Sequence, residues 1–173
     1  MPTERPIDRR AAEALLHQIK AAIASGAPES TVDLAGLNFL VTKVRDGEYI
    51  MHRPGQSEGT TIFASAGIRP PSYPAELPFI PGEMVGVTGT GRTQALTWWA
   101  PSDPSSLVAT LDRQLVAEGW EPGGEMRLAV FRTTQRAYAR GNTQLVIATS
   151  GTTVSLSQML GPDADYGQEP PRP

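Results

Sequence analysis

The sequence predicts an α+β protein of two small units: a helix with an antiparallel hairpin and a third strand, then a ββαβββ antiparallel sheet packed on one helix. Three observations lead there. First, 17 Gly and 16 Pro in 173 residues, beside a hydrophobic content of 39%, favour strands joined by turns over a helical bundle. Second, helical periodicity with marked ends occurs near residues 8–25 and 103–118, whereas other apolar segments alternate or run short. Third, five prolines fall between Arg69 and Gly82, where missing N–H groups and fixed φ forbid a central strand or a helix interior. The expected organisation is therefore 1–68, a linker at 69–82, a module at 83–160 and a disordered tail at 161–173.

The first helix is expected from about Asp8, a suitable N-cap, to Ser25. Ile7, Ala11, Leu15, Ile19, Ala22 and Ile23 fall near one face, and Arg9, Arg10, Glu13 and Lys20 lie opposite. Gly26 suits the left-handed position after the helix, and Pro28 prevents continuation. Leu37–Val44 and Glu48–Arg53 read as strands joined at Asp46-Gly47, a dipeptide that favours a type I′ turn. Thr60–Ala64 is the third strand. In the linker, Tyr73, Leu77, Phe79 and Ile80 imply that the chain lies along a surface.

The second unit opens with a hairpin, Met84–Thr88 and Thr93–Ala100, across Gly89–Arg92. Its helix has the clearest ends: Asp103 as N-cap, Pro104 at the first position where no N–H is needed, and Gly119 after Glu118. Trp120 is placed to fold back on Leu115, the contact that accompanies a Schellman cap. Strands are then expected at Leu128–Thr134, running on towards Ala139, at Gln144–Thr149 and at Thr152–Gln158. In the last, Val154 and Leu156 point one way and Thr153, Ser155 and Ser157 the other, as in a half-buried strand.

Bulk properties narrow the function classes. A net charge of -3 and a pI near 5.4 give no basic field for nucleic acid. Arg127, Arg132, Arg136 and Arg140 are interrupted by apolar residues and read as a solvated sheet face. With no cysteine there is no disulfide, thiolate nucleophile or Cys-containing metal site. The first residues lack a signal-type apolar run, and nothing approaches the roughly 18 apolar residues of a membrane span. A soluble, cytoplasmic protein is the expectation.

Candidate chemistry is sparse. Gly86-Val-Thr-Gly-Thr-Gly-Arg92 resembles a phosphate loop in glycine content alone, because no Lys-Ser/Thr follows and a strand comes next. His17 and His52 have no acidic or histidine neighbours at ligand spacing, so neither a metal nor another cofactor is expected. No Gly-x-Ser-x-Gly elbow is present. Trp98 and Trp99 are adjacent on a strand and face opposite sides of the sheet. Either one is an exposed contact anchor, or the linker or the first unit covers it. The sequence thus points to a non-enzymatic interaction or accessory protein that binds a protein partner or a second copy through an open sheet face, with Trp98, Trp99, Arg92 and Tyr73 as contact candidates. The alternative is a small-molecule or hydrolytic site in a cleft between the units, near Tyr73, Arg92, Trp98 and His52.

Overall fold

A computed structural model describes residues 9–34, 36–64, 67–89, 94–128, 133–151 and 153–160. The strands join in one antiparallel sheet of ten, and two helices pack on it. α1 (Arg9–Ala24) is followed by β1 (Glu29–Leu34), β2 (Leu37–Arg45), β3 (Glu48–His52) and β4 (Gly59–Phe63). Then come β5 (Val85–Thr88), β6 (Ala95–Trp98), α2 (Pro104–Ala117), β7 (Glu121–Leu128), β8 (Thr133–Arg140), β9 (Thr143–Ser150) and β10 (Thr153–Leu160). The spatial order is β1-β2-β3-β4-β5-β6-β10-β9-β8-β7. The chain walks across the first six strands, crosses over through α2 to the far edge, and returns to place β10 beside β6.

Two strands go beyond the sequence expectation, and both are edges. β1 and β7 end the sheet, so the meander after α2 has four strands and the helix before β2 has four partners. The 128–134 segment is the end of β7 and the start of β8, with 129–132 outside the described residues. The Asp46-Gly47 turn also differs from expectation. Gly47 has φ 78°, but Ala100 is the lone non-glycine with positive φ among the described residues, so Asp46 does not. A type I′ turn needs both central residues there; here the register slips between Lys43 and Arg45 instead.

α2 forms as its ends dictate. Asp103 has extended dihedrals, its carboxylate accepts from the Ser106 N–H at 3.1 Å, and Pro104 opens the helix. At the other end the Trp120 N–H donates to Leu115 O at 2.9 Å and Gly119 N–H to Val116 O at 3.1 Å, the paired bonds of a Schellman cap. Gly119 has φ 90°, which only glycine takes without strain. The Asp8 cap expected for α1 lies outside the described residues.

The helices lie on opposite faces of opposite halves of the sheet. Leu15 and Ile19 of α1 pack with Val32, Val41, Tyr49, Met51 and Ile62. Leu107, Leu111 and Leu115 of α2 pack with Leu96, Trp98, Tyr138, Leu145, Ile147, Val154 and Leu156. β4 shows the switch directly: Ile62 belongs to the α1 core and its neighbour Phe63 to the α2 core. Burying each such side chain contributes about 1.5–3 kcal/mol, so each core has enough apolar area to hold its helix.

The proline-rich segment connects β4 to β5, which pair directly with each other, so it leaves and re-enters one continuous ladder. As expected it packs along a surface: Tyr73 and Leu77 are buried in the α2 core, with Phe79 and Ile80 against it. The Tyr73 ring meets Phe63 and Phe79 edge-on with centroids 5.2 and 5.3 Å away, and its hydroxyl donates to Pro78 O. Arg69 donates to Pro74 O and Leu77 O, and the Gln114 side chain of α2 to Phe79 O. The segment is thus a strap fastened along the sheet face.

Candidate functional site

The adjacent tryptophans divide between the faces as alternation requires. Trp98 is 1% exposed in the α2 core, and Trp99 is 7% exposed in the α1 core. Of the two sequence readings for the second ring, the one in which the N-terminal unit covers it describes the structure. Trp99 lies flat across β5 because Gly86 has no side chain: a Cβ there would collide with the indole and come within 2.8 Å of Thr60 Cγ2. The glycine that resembled part of a phosphate loop therefore makes room for a tryptophan. Tyr73 is 4% exposed, and Arg92 lies outside the described residues. None of the three described contact candidates presents its ring to solvent.

The histidines do not converge. His17 rides on α1, which covers the face bearing Tyr49 and Met51, whereas His52 alternates onto the other face. The His52 ring is held by Thr42 Oγ1 and Arg53 O, each at 3.0 Å. Among the described residues no group of three potential metal ligands occurs, and no helix is long and apolar enough to cross a membrane.

Two concavities flank the strap. A groove of ≈ 510 Å³ lies over β3, β4 and β5, with Ile50, Phe63 and Val87 among its lining and Ser72 at one end. Glu48 stands in its wall as the one charged residue counted as buried among those described, 8% exposed. Its Oε2 accepts from the Ser72 hydroxyl at 2.7 Å and sits 3.1 Å from Arg45 Nε, so this carboxylate ties the strap to the sheet. Tyr73 and Trp98 form core behind this groove and are not among its lining. On the other face a second groove of ≈ 600 Å³ runs between α1 and the corner after β6, over Leu16, Ile23, Met84 and Trp99. Ala100, in left-handed geometry at φ 46°, lies in its wall.

A third surface is the sheet face opposite α2. Because Leu96, Trp98, Leu145, Ile147, Val154 and Leu156 point into the α2 core, their neighbours on β6, β9 and β10 point to the opposite face. There, Thr97, Ser155, Ala148 and Gln135 lie across successive strands, as the pairing of Thr97 with Ser155, Ser155 with Ala148 and Ala148 with Gln135 requires. Val146 and Ala137, also paired, extend the row along the strands. α1 packs on the other half of the sheet and the strap on the other face, so no described element covers these side chains. All are short or uncharged.

The opposite face of the same outer strands is charged. Glu125 of β7 lies 2.9 Å from Arg136 Nε and 3.4 Å from Arg127 Nε, and the bond from Arg136 holds its carboxyl below the usual range. The arginine run read as a solvated sheet face is here an ion-paired one, with Arg140 stacked 4.4 Å over the Trp120 ring and donating to Glu118 O. Arg132 lies outside the described residues.

Both sheet edges are blunted. Pro122 and a register shift before Gly124 interrupt β7. On β1, the Gln18 side chain of α1 accepts from the Asp33 N–H at 2.7 Å and donates to Asp33 O at 2.8 Å, occupying an outward backbone pair. The tryptophans were legible as candidates from sequence, whereas both edge strands were not. The uncharged face was not, since its limits depend on which strands α2 and α1 choose to cover.

No protein-family model, no curated protein and no solved structure matches this chain.

Proposed function

We propose that this chain is a non-enzymatic interaction protein that docks on another protein through the face of β6, β10, β9 and β8 opposite α2. One observation carries the reading: among the described residues no element covers this sheet face, and its side chains are uncharged at Thr97, Gln135, Ala137, Val146, Ala148 and Ser155. Side chains without charge cost less to desolvate than the ion-paired Glu125–Arg136 side, provided that the partner supplies hydrogen bonds to the hydroxyls and the Gln135 amide. The blunted edges remove strand addition as the competing mode. Trp98 packs on the far side of these strands, in the α2 core.

Photo-cross-linking from a reactive amino acid placed at Gln135 in the native host tests this. Adducts should form from Gln135 and fall at least tenfold when Ala148→Glu is added. Adducts that persist in the variant, or that form equally from Thr42 on the other face, overturn the reading.

A second reading, a small-molecule site, is favoured by the ≈ 510 Å³ groove beside the strap, within the volume range of ligand pockets. Glu48 would be its anchor. A thermal-shift screen of small cationic and neutral metabolites tests it: a stabilising compound whose shift is abolished by Glu48→Gln supports the groove, and no shift from any compound removes it.

A further inference from the structure

We infer that the groove over β3, β4 and β5 binds an organic primary ammonium, a cationic amine carried on an uncharged apolar body. The inference rests on the reading of that groove as a small-molecule site and adds the class of ligand.

The carboxylate of Glu48 selects a cation. Glu48 is 8% exposed, and its Oε2 takes both of the bonds described for the group, from the Ser72 hydroxyl at 2.7 Å and from Arg45 Nε at 3.1 Å. Oε1 accepts from no described residue and is not sealed from solvent, so it opens where Glu48 lines the groove. A neutral glutamine would tie Ser72 to the sheet as well, and a charge in this position costs more to bury. Arg45 offsets only part of that cost, because its side chain is 61% exposed and its charge is screened by water. A cation on Oε1 supplies the rest.

The other walls exclude the remaining charge types. The floor is one row across three strands, Ile50, Thr61 and Val87, since Ile50 pairs with Thr61 and Thr61 with Val87. Two of the three are aliphatic, so the floor suits an apolar body. Among the described lining residues none is Lys, Arg or His, and exposed Glu58 adds a second carboxylate. An anion would meet two like charges without a counter-charge in the lining. A neutral ligand would fill the floor, yet it would strip water from Oε1 and return no charge to it. At ≈ 510 Å³ the groove has room for the apolar body as well as the head group.

The geometry of the acceptor then chooses between cations. A guanidinium binds a carboxylate best through both oxygens at once, and here Oε2 already serves Ser72 and Arg45. An ammonium is a compact charge that needs only one oxygen. Its other N–H groups can be met by the hydroxyls of Thr61 and Ser72 in the same lining.

Amide chemical shifts of the isotope-labelled full chain, followed near neutral pH during titration with hexylammonium, hexanol, hexanoate and hexylguanidinium, test this. Hexylammonium should move the amides of Ile50, Thr61 and Val87 with a dissociation constant on the order of 1 mM, as suits so small a ligand. The other three compounds should bind at least tenfold more weakly. Glu48→Gln should weaken hexylammonium at least tenfold. Should that variant fail to fold, Thr61→Lys, which tethers an ammonium to the floor, should give the same loss. Equal binding of hexanol or hexanoate overturns the choice of a cation, and equal binding of hexylguanidinium overturns the choice of head group. In each of those cases the groove stands as a site. Hexylammonium binding that neither variant weakens lies elsewhere on the molecule and overturns the inference. If none of the four compounds moves these amides, the inference falls together with the groove reading.

Discussion

At the scale of single residues, the molecule turns on a few positions where one atom decides. Gly86 is the clearest. Its missing Cβ is the space in which the Trp99 ring lies, and Thr60 closes the other side. Gly86→Ala should cost about 1–3 kcal/mol, as overpacking of a filled core does, and the loss should appear as a lowered denaturant midpoint with unchanged slope. Tyr138 is a second such position. It is 2% exposed, and its hydroxyl donates to Asp112 Oδ1 at 2.5 Å. Burial first, and that bond to Asp112 second, push its pKa up from 10.0 to about 12. The folded state therefore holds the phenol proton more tightly than the unfolded chain does. That contribution is complete below pH 10 and is lost as pH rises towards 12, with buried Tyr73 acting in the same direction. Melting temperature followed from pH 8 to 12 should fall through this window for the wild type. Tyr138→Phe should begin lower and fall less, and equal slopes for the two would contradict the assignment.

Among the elements, α2 carries one of the two cores, and its ends are set by local chemistry. The Asp103 carboxylate takes up an N–H that no helical carbonyl reaches, so Asp103→Ala should cost about 1 kcal/mol, measured by denaturant unfolding, while Asp103→Ser should recover most of it. Such end signals are legible in sequence because they are chemical and adjacent; Asp103-Pro104 and Gly119-Trp120 give this helix within a residue. Edge strands are the reverse case. β1 faces only one neighbour and needs few apolar residues, so Glu29–Leu34 shows little alternation beyond buried Val32. β7 carries Pro122, Gly123 and Gly124, which protect an edge and at the same time erase its strand signature. What hid these strands from sequence reasoning is the composition that keeps the sheet from pairing with another chain. The uncharged face was half legible: the Thr153, Ser155 and Ser157 alternation marks an outward row. Which helix covers which face, however, is a long-range property that no local pattern contains.

On the scale of the whole molecule, the question is whether the proline-rich strap divides two units or fastens one. Its composition reads as a boundary because five prolines exclude regular structure. The ladder nevertheless runs from β4 to β5 to β6 without a break, pairing Phe63 with Val85 and Val87 with Leu96. Phe63 belongs to the α2 core while its neighbour Ile62 belongs to the α1 core, and Trp99, after β6, reaches back into the α1 core. Losing either core would therefore strip partners from the strands that carry the other. Backbone bonds between β4 and β5 would face water, and Gly86 would lose the ring that covers it. This coupling predicts one cooperative unfolding transition for the full chain. Ile19→Ala in the α1 core and Leu111→Ala in the α2 core, each expected to cost about 2–5 kcal/mol, should move that single transition, whether it is followed by tryptophan fluorescence or by far-ultraviolet circular dichroism. If the strap separates independent units, Ile19→Ala will instead split the curve, leaving a late transition at the wild-type midpoint that reports α2 and the six strands β5 to β10 alone. Hydrogen exchange resolves the same alternative by residue. In a single body the slowest amides of β3 and of β9 share one opening free energy and fall together in either variant, and in two bodies each variant lowers protection only on its own side of β4.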